Sequence, residues 1–284
     1  MHAPMNRETV MSRARDDPEP ILLTIFSALG REAEIPRLLT MFSESERARF
    51  SQHHGRENAV VTRATLRQVL SSLLRTEPGG IVIENDAHGR PRAVARRRVE
   101  FSVTHTAHVG AIIATTGRLA LGIDLEWRGR VKPWTDDAVA RMARRCLTTD
   151  ERTEFDTLRD DEKRNAFLRA WTRKEAFLKA LGTGLTTPMR HVHLGLGDIP
   201  DLRQLPAPAQ GWAWRLLDLD VRHTPAACEP AGDTAVPRDF LGAIAVGLPR
   251  GRTGGLAEPE ADITVRLTID APGFEVSVTD SGSR

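Results

Sequence analysis

Residues 119–127 read L-A-L-G-I-D-L-E-W, and this stretch decides the fold because large apolar residues alternate along it with small or acidic ones. Successive side chains of a β-strand point to opposite faces. The large apolar residues therefore share one face, and the opposite face carries Asp124 and Glu126. The alternation predicts a core strand with both carboxylates on the same side.

The strongest helical signal downstream runs from about Asp161 to Leu181 and stops at Gly182. Its segment 171–179 reads W-T-R-K-E-A-F-L-K, in which Trp171, Glu175 and Lys179 recur every four residues and share one stripe of the helix. A surface ion pair beside core residues is the ordinary interpretation of such a stripe. The alternative is a polar end that faces a metal ion and a phosphate.

Lysine is scarce in this chain, because 36 of its 40 Lys and Arg residues are arginine. Two of the four lysines, Lys174 and Lys179, lie in the segment 171–179. An ammonium group meets phosphate as a compact point charge, unlike a planar guanidinium. The placement agrees equally well with chance and with a need for an ammonium group that meets phosphate.

Asp124 and Glu126 are predicted to repel each other unless solvent or a cation screens them. A D-x-E pair on its own is typical of a solvent-facing strand, but Glu175 offers a third acid. Three carboxylates without histidine or cysteine suit Mg²⁺, or Mn²⁺, better than zinc. The three acids are therefore the candidate metal ligands.

The order of elements predicts an α+β protein with two comparable lobes. Residues 1–20 are interpreted as a disordered leader, 21–117 as the N-terminal lobe and 118–248 as the C-terminal lobe that holds the metal and catalytic motifs. Apolar spacing without Gly or Pro predicts a helix over Glu57–Arg75. Two alternating runs around a Pro-Gly turn predict that 249–284 is a linker and a C-terminal β-hairpin extension.

Composition excludes several classes of protein. The chain has 284 residues, 27% of them charged, and a net charge of +2. No window approaches a membrane span and the start lacks an apolar signal segment, which predicts a cytoplasmic protein. Two cysteines are too few for a disulfide framework or a cysteine-based zinc site, and the near-neutral charge argues against a nucleic-acid binder.

Four motifs in order resemble a known family. They are G-R-P at 89–91, F-S-V-T-H-T at 101–106, L-G-I-D-L-E at 121–126 and W-T-R-K-E-A-F-L-K at 171–179. They are similar to the G-K-P, F-N-x-S-H-S, G-I-D-x-E and W-x-x-K-E-x-x-x-K series of the surfactin (Sfp)-type 4′-phosphopantetheinyl transferases. The resemblance covers about residues 40–247. It implies a monomer of two similar lobes in a pseudo-twofold pair, with coenzyme A and Mg²⁺ bound in the cleft between them.

The implied reaction moves the 4′-phosphopantetheine arm of coenzyme A to a serine of an apo acyl or peptidyl carrier protein and releases adenosine 3′,5′-bisphosphate. The resemblance makes Asp124, Glu126 and Glu175 the metal ligands. It makes Asp124, Glu175 and Lys179 the catalytic residues, with either Glu175 or a metal-bound water as the base.

The resemblance also implies which residues bind coenzyme A. Lys179 contacts the pyrophosphate with Lys174 nearby, Arg63 and His105 bind phosphates, and the nucleotide pocket contains Arg90, Pro91 and Thr104. The basic residue upstream of Arg63 is Arg47, Arg49 or Arg56, with Arg56 ranked first.

The acidic helix of a carrier protein, from polyketide, nonribosomal peptide or fatty-acid synthesis, would meet the loop from Gly182 to Pro188 and nearby arginines. The candidates are Arg145, Arg152, Arg164 and Arg169. Two alternatives remain open: another metal-dependent phosphoryl enzyme, and a non-catalytic module that binds coenzyme A or a carrier protein.

Overall fold

The computed structural model describes residues 20–51, 56–86, 89–129, 135–224, 238–250 and 263–280. The chain divides into two compact units, Met1–Arg118 with Asp262–Pro272, and Leu119–Ala261 with Gly273–Arg284. Both units contain helices and strands, which confirms the predicted α+β class. All but the last residue of the predicted leader 1–20 lie outside the described residues.

The described residues form six α-helices and ten strands. The helices are α1 (Ile35–Leu39), α2 (Glu44–Ser51), α3 (Arg56–Leu74), α4 (Asp136–Cys146), α5 (Thr149–Thr157) and α6 (Asp160–Leu181). The strands are β1 (Ile21–Ser27), β2 (Val82–Asn85), β3 (Pro91–Val94), β4 (Glu100–Thr106), β5 (Val109–Thr115), β6 (Ala120–Trp127), β7 (Trp212–His223), β8 (Asp239–Pro249), β9 (Val265–Asp270) and β10 (Phe274–Asp280). Short 3₁₀ turns lie at Glu32–Glu34, Pro78–Gly80, Gly184–Thr186, Met189–His191 and Ala207–Ala209.

The first unit is built on a four-stranded sheet in the order β4-β5-β1-β9. Helix α3 is the predicted first helix, and its apolar stripe packs into one core with the sheet residues Phe26, Phe101 and Ile112. Strands β2 and β3 form a separate two-stranded sheet, which carries the G-R-P motif at its turn.

The second unit is built on a four-stranded sheet in the order β10-β7-β8-β6. Helix α6 packs on β6 and β8, and it ends at Gly182 in the left-handed conformation, with φ of 74°. A glycine adopts that conformation without steric cost, which is why the helix stops where the sequence predicts. Residues 148–151 read T-T-D-E, and Thr148 and Glu151 form a capping box at the start of α5.

The predicted C-terminal hairpin is wrong. Strands β9 and β10 are joined by a turn that contains Gly273, but β9 pairs in parallel with β1 and β10 pairs antiparallel with β7. Each therefore completes a different sheet, because an edge strand such as β1 or β7 offers unpaired backbone groups that another strand can satisfy. Alternation in the sequence predicts a strand but does not identify its partner. None of the described helices is both long and apolar enough to cross a membrane.

Candidate functional site

Strand β6 places its two carboxylates on the face that α6 covers. A Cβ atom on Gly122 would lie 1.8 Å from the carbonyl oxygen of Ala176, so the helix backbone lies directly against the strand. Asp124 has the same parity as Gly122 and is 6% exposed. Glycine at 122 is thus the residue that allows the second half of α6 to approach Asp124 and Glu126.

Lys179 on α6 contacts β6 directly. Lys179 Nζ lies 2.7 Å from Asp124 Oδ1 and 3.0 Å from the carbonyl oxygen of Ile123. Glu175 lies near enough to these groups for their charges to shift its pKa. Burial raises the pKa of Glu175, and Asp124 and Glu126 raise it further, whereas Lys179 lowers it. The structure therefore brings the three acids and Lys179 into one electrostatic cluster.

The donor set fits a hard cation by its chemistry, because it consists of carboxylates alone. Among the residues that the structure describes, however, no three His, Cys, Asp or Glu side chains are arranged to hold a metal ion. Instead, the ammonium of Lys179 neutralises Asp124. The metal role of Asp124, Glu126 and Glu175 stays a prediction.

The prediction that Lys174 contacts coenzyme A is contradicted. Lys174 is 0% exposed, and its three N–H groups reach the carbonyl oxygens of Cys146 at 2.8 Å and Met189 at 3.2 Å and Oε2 of Glu151 at 2.5 Å. Its neighbour Glu175 lies on a different side of the helix, since adjacent residues are 100° apart. Lys174 therefore has no donor left for a ligand.

Glu151 is the buried partner that the sequence analysis did not identify. Its two oxygens accept from the backbone amides of Thr148, Leu194 and Gly195 as well as from Lys174. Burial opposes ionisation, but Lys174 and these amides outweigh it and lower the pKa of Glu151. The capping box was the visible signal, and only the fold shows that the capping acid also binds a buried lysine.

In the first unit, Arg63 lies against an acid. Its Nε is 3.1 Å from Glu46 Oε1, and Arg67 holds the other oxygen of the same carboxylate at 2.5 Å. Burial lowers the pKa of Arg63, and the nearby cations Arg49 and Arg67 lower it too, against the opposing charge of Glu46. A concentration of arginines around a single carboxylate leaves net positive charge on α2 and α3.

Arg90 and Pro91 line a cavity of about 190 Å³ in the first unit, together with Arg92, Arg97, Arg98 and Phe101 among others. The backbone amide of Arg90 donates to Asp86, and its guanidinium donates to the carbonyl oxygen of Phe101 at 3.2 Å. Burial lowers the pKa of Arg90. The wall of the cavity combines these arginines with the acid Glu100 and with apolar side chains.

Thr104 and His105 are neighbours on β4 and point to opposite faces of the sheet. Thr104 is buried, whereas His105 is exposed. His105 shares the face of Phe101 and Val103, which pack against α3. Asn58 near the start of α3 donates to the carbonyl oxygen of Ala107, so His105 lies towards the amino-terminal end of that helix. Arg56 is the first residue of α3, and its side chain lies outside the described part of the chain.

The four candidate carrier contacts differ in accessibility. Arg145 at the end of α4 and Arg152 on α5 are exposed. Arg164 is half-buried and pairs with Asp136, and Arg169 is half-buried and pairs with Asp198.

Comparison with known proteins finds one family and several relatives. Residues 120–228 match the family described as the 4′-phosphopantetheinyl transferase superfamily. The chain is 30% identical over 196 residues to the 4′-phosphopantetheinyl transferase HetI of Nostoc sp.. This match covers 66% of this chain and 77% of that relative. It is 22% identical over 161 residues to the 4′-phosphopantetheinyl transferase Sfp of Bacillus subtilis, covering 56% and 68%. It is 41% identical over 66 residues to a holo-acyl-carrier-protein synthase of Staphylococcus carnosus, covering 23% and 56%.

Proposed function

Because the chain belongs to the 4′-phosphopantetheinyl transferase superfamily and is a transferase, we propose that it moves the 4′-phosphopantetheine arm of coenzyme A to a serine of an apo acyl or peptidyl carrier protein. The products are the holo carrier protein and adenosine 3′,5′-bisphosphate. The reaction requires Mg²⁺, with Mn²⁺ as a substitute. By the same family resemblance, the protein acts as a monomer, and we further propose that it is cytoplasmic.

The observation that carries the proposal is the cluster on β6 and α6. Lys179 on the helix contacts Asp124 on the strand. The charges of both residues and of Glu126 shift the pKa of Glu175. Transfer breaks a pyrophosphate bond, so negative charge builds on the departing bisphosphate. A site of this kind needs fixed positive charge beside a carboxylate set, and the cluster contains both.

The residues that would hold Mg²⁺ are Asp124, Glu126 and Glu175. A metal ion held there supplies positive charge that stabilises the pyrophosphate during transfer. Lys179 has a 32% exposed side chain, so its ammonium can meet a pyrophosphate oxygen. Glu175 is the chain's own candidate to accept the serine proton.

The coenzyme A phosphates are assigned to cations of the first unit. Arg63 and His105, with Arg56 upstream, bind the phosphates, and Arg90, Pro91 and Thr104 line the nucleotide pocket. The cavity beside Arg90 supports the assignment of Arg90 and Pro91, since both line it together with Phe101. Arg145 and Arg152 are the preferred carrier contacts because both are exposed.

The test is incubation of the purified chain with coenzyme A, Mg²⁺ and a panel of apo carrier proteins, followed by intact-mass spectrometry. A carrier that gains the mass of the phosphopantetheine arm supports the proposal. No gain across the panel contradicts it. Release of bisphosphate from coenzyme A without any carrier would instead indicate a different phosphoryl enzyme, and calorimetric binding of coenzyme A without transfer would indicate a binding module.

A further inference from the structure

Arg173 is a buried cation in the middle of α6, and all five of its N–H groups are used. Its side chain is 0% exposed. Nε donates to Asp218 Oδ1 at 2.9 Å and Nη2 to Asp218 Oδ2 at 2.6 Å, which forms a bidentate pair with β7. The remaining donors reach three backbone carbonyl oxygens, those of Gly195, Gly197 and Asp198.

These five bonds join α6 to two different parts of the second unit. Asp218 belongs to the sheet, and residues 195–198 belong to the segment between the helix and β7. A guanidinium offers its donors in a rigid planar fork, so five simultaneous bonds fix both the rotation and the axial position of the helix at residue 173.

Three residues after Arg173, the helix backbone packs against β6 with no space between them. The carbonyl oxygen of Ala176 lies where a Cβ of residue 122 would be, and one turn further on Lys179 reaches Asp124. A helix held at residue 173 and pressed against β6 at residue 176 can present Lys179 to Asp124 in one way only. Arg173 itself touches neither Asp124 nor Lys179 in any of its five hydrogen bonds.

We propose that Arg173 is a positioning residue, which holds α6 so that Lys179 and Glu175 face Asp124. The effect of Arg173 on catalysis rests on the proposed transferase function, whereas its effect on the position of α6 does not. A side chain that serves stability alone would affect unfolding without moving Lys179.

The experiment compares the wild type with Arg173→Met and with the double variant Arg173→Met/Asp218→Asn. The double variant removes both charges, so it leaves no buried charge unpaired and keeps the test available if Arg173→Met does not fold. Arg173→Lys, which keeps the charge and loses the fork, serves if the double variant fails as well. Arg215→Met is the matched control, because Arg215 is another arginine of this unit and pairs on β7 with Asp280 of β10.

The first readout is crystallographic and independent of activity. We expect the distance from Lys179 Nζ to Asp124 Oδ1 to lengthen from 2.7 Å to beyond hydrogen-bond reach, about 3.5 Å or more, in the variants. The Arg215→Met structure keeps the contact. An unchanged contact in every folded Arg173 variant overturns the proposal.

The second readout is the split between kcat and KM, measured well below each variant's melting temperature. We expect kcat to fall about 10- to 100-fold and KM for coenzyme A to rise much less, because Lys179 is one of several proposed phosphate contacts and its charge matters most as charge builds in the transition state. Recovery of wild-type kcat in the double variant would show a role in stability alone and overturn the proposal. If the wild type modifies no carrier protein, the proposed function fails and the crystallographic distance still decides the position of Lys179.

Discussion

Lys179 on α6 lies 2.7 Å from Asp124 on β6, so the acid that the sequence marks as a metal ligand is held by the lysine that it marks as a phosphate contact. Five residues earlier on the same helix, Lys174 points into the protein and pairs with Glu151. Two lysines with the same sequence signal thus have different tasks. Lys179 can exchange its partner for a ligand, and Lys174 cannot.

Replacing each lysine with methionine should separate these tasks. For Lys179→Met we expect kcat/KM to fall by about 100-fold or more, the size of effect that follows loss of a group that stabilises transition-state charge. Its melting temperature should fall less than that of Lys174→Met, because the Lys179 side chain is 32% exposed whereas Lys174 is fully buried. Steady-state transfer assays and calorimetry measure the two effects.

Lys174→Met should show the opposite result. Removing one partner of a buried ion pair leaves Glu151 charged and unpaired, at a cost of about 3–5 kcal/mol in the free energy of unfolding. Urea unfolding measures this loss. A stable Lys174→Met protein with a raised KM for coenzyme A would restore the role in coenzyme A binding that the structure contradicts.

Asp124→Asn should remove transfer while the chain stays folded. The amide keeps the shape of the side chain and removes one of the charges that raise the pKa of Glu175. That pKa should therefore fall, yet stay above its ordinary value, because burial is its largest cause. Carboxyl NMR titration measures the pKa, and Asp160→Asn, an exposed acid on α6, is the control. Transfer near the wild-type rate would contradict the assignment of Asp124.

The sequence was sufficient to predict the elements of this site because their signals are local. The alternation over 119–127 determines which side chains share a face, and the observed β6 pairs Asp124 with Ala243 and Glu126 with Leu241 on β8. Four-residue spacing likewise predicts that Glu175 and Lys179 share a stripe. Both predictions depend only on the geometry of one strand and one helix.

What could not be predicted depends on distant partners. Helical periodicity gives the angle between Lys174 and Glu175. It does not show that Glu151 and the carbonyl oxygen of Met189 lie on the side to which Lys174 points. Arg173 has no motif signal, because its five acceptors come from β7 and from residues 195–198. The partners of β9 and β10 were missed for the same reason, since pairing is decided by which sheet edge is open.

Gly122→Ala should displace α6 from β6. The new Cβ would overlap the carbonyl of Ala176, a backbone atom that cannot rotate away. Overpacking of this kind costs about 1–3 kcal/mol, and we expect a matching loss of stability together with loss of transfer. Gly211→Ala is the control, because a Cβ at residue 211 meets no atom within 4 Å. Equal stability of the two variants would show that α6 does not press on Gly122.

The Glu151–Lys174 pair should make the stability of the fold depend on pH. The pKa of Glu151 is lowered in the folded chain, so its contribution is complete above the unfolded value near 4.5 and is lost as the pH falls towards the folded value. Glu151→Gln should therefore be less stable than the wild type at pH 7, and the difference should shrink below about pH 4.5. Thermal unfolding across this range measures it, with Glu154→Gln, an exposed residue of α5, as the control. A constant difference at all pH values would contradict the ion pair.

Ending the chain at Arg250 should uncover one edge in each sheet. The truncation removes β9 and β10, which cover β1 and β7. Strand β1 is then an apolar edge, since Ile21, Leu23 and Ile25 are buried, and such edges pair with other chains. We expect a melting temperature lower by about 10 °C, for a loss of a few kcal/mol, and association that increases with concentration in sedimentation velocity. Ending the chain at Asp280 instead keeps both strands and is the control. A truncated chain that melts like the wild type and stays monomeric would show that the two strands do not contribute to the sheets' stability.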